Sequence, residues 1–208
     1  MSTRARTYGG ATSGERRSKR RAALMDAALG LVGEVGVGGI TVRGVCSAAR
    51  LNDRYFYESF RTTDELLLAL FDEQIALAST VMLAAIAQNP PDPMVRARAA
   101  IGTGLRHLTA DPRRGPLLIG SQATEGLRAR RRDLIKSLAQ IMAEQGRALL
   151  AGQQALDPDL DLAALTLVAG GFDLVTGWLQ GEPDITREHL ENFLVAMVTA
   201  PRVSGTPD

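Results

Sequence analysis

Residues 41–60, TVRGVCSAARLNDRYFYESF, decide how this chain is read. Thr41 carries the hydroxyl of a good helix N-cap, able to accept from a free backbone N–H of the first turn. Ile40 ahead of it and Val45 beyond it have the spacing of a hydrophobic staple, so a helix is predicted over residues 42–49. Asn52 repeats the pattern between Leu51 and Phe56. Two short helices joined by a few residues make a helix-turn-helix, whose second helix is shaped to enter the DNA major groove. On that second helix Leu51, Phe56 and Phe60 fall inward. Asp53, Arg54, Tyr55, Tyr57 and Glu58 are left outward or sideways.

Charge placement points the same way. Residues 1–50 hold nine Arg or Lys and three Asp or Glu, a net of +6, while the whole chain is +1, so residues 51–208 sum to −5. A basic head on an acidic body suits a polyanionic partner. Arg16, Arg17, Lys19, Arg20 and Arg21 lie at the start of the first predicted helix, where the helix dipole disfavours cations. A phosphate backbone close by would offset that misfit. A solvated arm with no partner is the alternative.

The stretch at about residues 15–71 resembles the DNA-binding head of the TetR family of repressors. The family signature (a valine–serine start, a leucine–tyrosine pair, a histidine–phenylalanine pair, a lysine) falls on Leu51 and Asn52, Phe56 and Tyr57, Ser59 and Phe60, and Thr63. Tyr57 and Phe60 keep the signature; Ser59 replaces its histidine and Thr63 its lysine. Arg50 stands where the family has a turn glycine, which would cost about 1 kcal/mol if the backbone there is left-handed. The resemblance implies an all-α fold: a three-helix helix-turn-helix head and a helical effector-binding and dimerisation domain.

Around the motif the chain reads as almost wholly helical, with no strand pattern and no repeat. Residues 1–14 are expected to be a disordered basic arm, 15–61 the DNA-binding domain, 62–200 the effector and dimerisation domain, and 201–208 a tail. Helices are predicted over 15–35, 63–88 (opened by a Thr62/Glu65 capping box), 93–110, 114–121, 124–152, 159–180 and 186–199. Asn89-Pro90-Pro91, Asp111-Pro112, Asp157-Pro158 and Gly181-Glu182-Pro183 separate them. A lone Cys46 excludes an internal disulfide and fits a reducing compartment. No leader is read at the N-terminus, and the uncharged run at 75–87 is too short for a bilayer, so a cytoplasmic protein without a membrane partner is expected.

Within the head, Arg54 is the first candidate for base reading, since a guanidinium bridges O6 and N7 of guanine. Asn52 is a candidate for adenine, with its capping role in competition. Asp53 either accepts from cytosine N4 or simply favours the helix N-terminus. Tyr55 is assigned to a thymine methyl or a phosphate, Tyr57 to a phosphate with its ring on the head core. Thr41, Arg43 and Thr63 sit near helix starts, where phosphates bind readily, and Arg16, Arg17 and Arg20 complete the phosphate set.

Of the last pair of predicted helices, the one over 159–180 is apolar nearly all round, the mark of a segment buried on every side. A subunit interface meets that requirement, and the resemblance implies that the pair forms a four-helix homodimer seam. Leu167, Gly171, Phe172, Val175, Trp178, Leu179, Phe193 and Met197 are the interface candidates; a plain monomer core is the alternative. A two-fold dimer would set two reading helices roughly 34–36 Å apart on a near-palindromic operator. The resemblance also implies a small-molecule effector among residues 75–180, with His107, Gln122, Glu125 and Asp173 as polar candidates.

Enzyme signals are weak. His107, His189 and Cys46 show no metal-ligand spacing, the glycines at 36–44 follow no strand, and Ser121 is not in a nucleophile elbow. Neither a metal nor a cofactor is expected. The arginines at 128 and 130–132 sit beside Glu125 and Asp133 and read as a solvated face. The expected function is a ligand-responsive repressor released from its operator by an effector. The competing class is an all-α carrier or enzyme with an incidental helix-turn-helix.

Overall fold

Thr12, three residues ahead of the expected start, caps the first helix: its hydroxyl accepts from the Glu15 N–H at 3.2 Å while the Glu15 carboxylate accepts from the Thr12 N–H at 2.6 Å. This reciprocal box begins α1 (Ser13–Val35) inside the expected arm. The computed structural model describes residues 12–149 and 157–199. The rest of the arm, the tail and the expected helix end near residue 152 lie outside the described residues.

Gly36, at φ +72°, ends α1, and a single 3-10 turn (Val37–Gly39) leads to Thr41, whose hydroxyl accepts from Gly44 N–H at 3.1 Å and opens α2 (Val42–Ala49). Arg50 closes α2 in the left-handed region, φ 54° and ψ 41°, the described non-glycine residue with positive φ. Its N–H and that of Leu51 return to the carbonyls of Ser47 (3.1 Å) and Cys46 (2.9 Å), so the turn geometry holds at the expense of side-chain crowding. Arg50→Gly is expected to raise stability by about 1 kcal/mol, measured as a higher urea midpoint at unchanged slope.

Helix α3 (Asp53–Tyr57) follows, then α4 (Thr63–Ala87), opened by Thr62 accepting from Glu65 N–H at 3.1 Å. The body adds α5 (Pro93–Ala110), α6 (Arg114–Ile119) with a 3-10 turn at Gly120–Gln122, α7 (Glu125–Leu149), α8 (Asp157–Leu179) and α9 (Arg187–Thr199). Asp157 and Pro158, expected as breakers, are the first residues of α8; a proline is tolerated there because first-turn N–H groups have no helical acceptor. Among the described residues the structure is all-α, without strands.

The main core does not stop at the head. Leu24, Val32, Val45, Phe56, Phe60, Leu66, Leu70 and Phe71 are joined in it by Leu117 of α6 and Leu127 of α7. So α6 and the start of α7 are packed on the head itself. Further out, α5 lies along α4 and α9, and α7 lies along α8. Two smaller cores serve these layers: Leu105, Leu190 and Leu194 between α5 and α9, and Ala139, Ala143 and Ala164 between α7 and α8.

By length and composition α4 and α8 would each be able to cross a bilayer, contrary to the reading of the 75–87 run alone. In the fold the base of α4 fills the head core and α8 lies against α7. Gly177, inside α8, has a nearby cause: a Cβ there would meet the Glu182 carbonyl oxygen at 2.6 Å, where the chain doubles back.

The junction of α5 and α6 is ionic. The Arg113 guanidinium grips Asp111 through Nε (3.0 Å) and Nη2 (2.8 Å) and reaches Asp26 of α1 through Nη1 (2.9 Å). Hydrogen bonds from the Arg113 side chain, opposed by burial, bring the Asp111 carboxyl from 3.8 down to about 2. A carboxylate depressed by folding stabilises above its unfolded value and loses that contribution as pH falls toward the folded one. The parent is therefore expected to lose stability more steeply than Asp111→Asn between pH 3.8 and about 2, and to be the more stable of the two at neutral pH; a thermal melting series checks both.

Candidate nucleic-acid interface and effector region

Local capping sets the pose of α3. Asn52 Oδ1 accepts from the Tyr55 N–H at 3.4 Å, which commits that oxygen to the cap. Phe56 and Phe60 are 0% and 1% exposed and pack ring to ring at 5.8 Å, anchoring the helix from beneath. Arg54 is left 83% exposed, tethered by Nε to Glu58 Oε1 at 3.2 Å. Tyr57 is 60% exposed and meets Phe56 edge-on at 5.5 Å, so its ring leans on the core as expected while the rest faces solvent. Asp53 is exposed but stands beside Cys46, whose thiol is pushed up first by burial and then by that carboxylate. Arg43 and Thr41 are exposed at the start of α2, and Thr63 is half-buried at the start of α4.

The basic end of α1 behaves differently from the expectation. Arg17 donates to the Glu58 carbonyl, and Arg21 donates to the Ser59 carbonyl at 3.0 Å while lying 4.1 Å over the Phe60 ring. Arg20 pairs with the Glu58 carboxylate at 3.2 Å and stacks 4.3 Å above the Tyr55 ring. Carbonyls at a helix C-terminus lack intrahelical donors and carry partial negative charge. Arg17, Arg20 and Arg21 are thus offset within the head, by the end of α3, and phosphate is not needed to explain these three. The same contacts cover one face of Tyr55, which leaves less of it for a base than the sequence implied. Arg16 is exposed on the first turn. Arg17, Tyr57, Glu58, Arg61 and Glu65 line a cleft of about 270 Å³ beside this junction.

In the body the four effector candidates do not converge. Glu125 is a surface residue bound to Arg128 (3.0 Å) and Arg132 (3.3 Å), whose hydrogen bonds lower its pKa. Gln122 is exposed. Asp173 is 69% exposed and pairs with Arg131 at 2.6 Å. Of the four, His107 has a buried nitrogen: Nε2 has no partner among the described residues, and burial followed by the nearby Arg114 charge lowers its pKa. Two further buried polar atoms lack partners among the described residues, Ser121 Oγ and Arg131 Nε. Buried polar groups are nearly always satisfied, so such atoms mark a place where something else binds or the fold is strained. Arg131 is only 12% exposed, and reading the arginine run as one solvated face misses it. Its phase gives it away: it lies four residues after Leu127 and three before Leu134, on the inward stripe of α7.

The expected dimer residues also divide. Trp178 donates Nε1–H to the Ile185 carbonyl at 2.8 Å and packs, with Val175 and Met197, on Leu105 and Leu190. Gly171 abuts Leu194 and Met197, and Leu179 abuts Gly115. These five make contacts within the chain itself. Leu167 and Phe172 are half-buried on α8, Phe172 with Arg131 5.7 Å from its ring. Phe193 is 51% exposed, and with it Leu162 (62%) and Leu165 (41%), which fall outside the expected set.

Residues 24–70 match the family model described as bacterial regulatory proteins, tetR family. No curated protein matches the chain in sequence. Among solved structures, the chain is similar to the fatty acid degradation regulator FadR of Bacillus halodurans, at 16% identity and a TM-score of 0.73 over 88% of this chain and 96% of that one. It is similar to FadR of Bacillus subtilis, solved with stearoyl-CoA, at 18% identity and a TM-score of 0.71 over 87% and 99%. It is also similar to AibR, solved with isovaleryl coenzyme A and operator DNA, at 18% identity and a TM-score of 0.60 over 86% and 97%. At these identities the likeness is one of fold. Residues 24–70 thus form a head of the tetR family of bacterial regulatory proteins, and the chain as a whole shares the fold of these solved regulators.

Proposed function

We propose that the protein is a cytoplasmic, homodimeric repressor that binds a near-palindromic operator and leaves it when a small molecule occupies the body. The observation that carries this reading is α3: a rigidly seated helix with Arg54 83% exposed and Tyr57 60% exposed on its free side. Arg54 reads a base edge; Tyr57, Thr41, Arg43 and Thr63 contact phosphates; Asn52 and Asp53 chiefly build the helix start. Arg17 and Arg20 brace α3, and Arg16, exposed on the first turn of α1, contacts the backbone of the duplex. The head at 15–61 and the body at 62–200 divide these tasks although their cores are continuous. Support for a dimer comes from Leu162 and Leu165 of α8 and Phe193 of α9, large apolar side chains that the described residues leave exposed on the last two helices.

The unpartnered atoms of His107, Ser121 and Arg131 favour an effector with hydrogen-bonding groups. Acyl-coenzyme A thioesters are the first class to test, because FadR of Bacillus subtilis and AibR were solved with such compounds. Leu117 of α6 sits in the head core and Arg113 reaches Asp26 of α1, so a shift of α6 on ligand binding would be felt by the head.

Selection of bound fragments from a random DNA pool tests the reading. A two-fold symmetric sequence, binding that falls steeply with salt, and release by an acyl-coenzyme A are expected. A chain that stays monomeric and ignores duplex DNA at low salt would instead be the carrier or enzyme of the alternative.

A further inference from the structure

Glu58 is an unusual residue to find next to a DNA-reading surface. It sits just past the end of α3, one turn after Arg54, and adds negative charge where a polyanion is to dock. Its two carboxylate oxygens are both occupied by cations: Oε1 accepts from Arg54 Nε at 3.2 Å, and Oε2 accepts from Arg20 Nη2 at 3.2 Å. Its carbonyl accepts from Arg17. Glu58 is therefore tied to α1 at two points and to the first turn of α3 at a third. Arg20 itself lies over the Tyr55 ring, at 4.3 Å, so the whole assembly is braced from α1.

Resting on the reading that Arg54 contacts a base, we infer that Glu58 is a positioning residue for sequence recognition. Its carboxylate holds the Arg54 guanidinium by the Nε edge and leaves Nη1 and Nη2 directed at a base. An arginine with free rotors must lose them on binding, and a partner that orders it in the free protein moves that loss into folding. Fixed orientation also matters for discrimination, because two parallel N–H donors recognise guanine only when their plane is aligned with O6 and N7. Glu58 cancels one positive charge of the head, a cost to phosphate attraction that falls alike on every DNA sequence.

The test uses the full chain and the operator obtained by selection, with single-base variants at each half-site position. Discrimination is the ratio of affinities for the selected base and its replacements; the salt slope of binding is measured alongside. Arg54→Ala first identifies the position that Arg54 reads. Glu58→Ala and the shape-conserving Glu58→Gln are then expected to lower discrimination at that position by about tenfold, leaving the other positions and the salt slope unchanged. In the Arg54→Ala background, Glu58→Ala is expected to cause no further loss there. A purely structural Glu58 would weaken binding at all positions alike, and this outcome in a folded Glu58→Gln protein overturns the inference. So does unaltered discrimination in the Glu58 variants when Arg54→Ala has abolished it, with base reading by Arg54 left standing. If Arg54→Ala changes no position at all, base reading by Arg54 fails and Glu58 positioning fails with it.

Discussion

Phe56→Ala is expected to destabilise the protein by about 3–5 kcal/mol. The ring is 0% exposed, touches Tyr57 edge-on and Phe60 at 5.8 Å, and belongs to the core that joins α1, α2, α4, α6 and α7. Removing it deletes buried apolar area and leaves a void that five helices would have to close together. Because α3 is only five residues long, it has almost no helical stability of its own and depends on that anchor. Operator binding should therefore vanish near the new melting transition. A denaturant or thermal melt of the variant checks the magnitude, and a loss below about 1 kcal/mol would mean that α3 is held mainly by Arg17, Arg20 and Arg21.

Arg54→Ala is the counterpart on the outer side of the same helix. Its guanidinium is 83% exposed and makes one pair with Glu58, so stability should change by no more than about 0.5 kcal/mol. Operator affinity should fall by about 1–3 kcal/mol, with relaxed preference at one base position in each half-site. Tyr57→Ala should weaken all DNA sequences alike, because a phosphate contact carries no base information. A gel-shift titration of both variants on the selected operator and a scrambled duplex separates the two patterns. Equal losses on both duplexes for Arg54→Ala would remove it from base reading.

The opposed roles of Phe56 and Arg54, two positions apart, are legible in the amino-acid sequence. Asn52 as a cap and Phe56 as a buried staple residue set the rotation of α3, and the rotation decides which side chains face out. Thr41, Thr62 and Asn52 all cap as expected, since a cap is an interaction over three residues. The Thr12–Glu15 box has the same form but is hidden among the polar residues ahead of it. Where the sequence misleads, the decisive partners are remote. Arg17, Arg20 and Arg21 find theirs about forty positions away, at Glu58 and Ser59. Asp173 turns to Arg131 across the α7–α8 packing, and Trp178, Val175 and Met197 turn to α5 and α9 rather than outward.

What the amino-acid sequence determined alone was the helical order, the two-helix motif with its capped ends, and the exposed position of Arg54. Each depends on residues within a turn or two of one another, where backbone geometry leaves few choices. Tertiary packing decided which of several equivalent arginines is bonded within the head, which apolar side of α8 is covered by the chain itself, and which buried polar atoms are left without partners. Those outcomes depend on the approach of helices far apart in the chain, and periodicity alone says that a face is covered without saying by what.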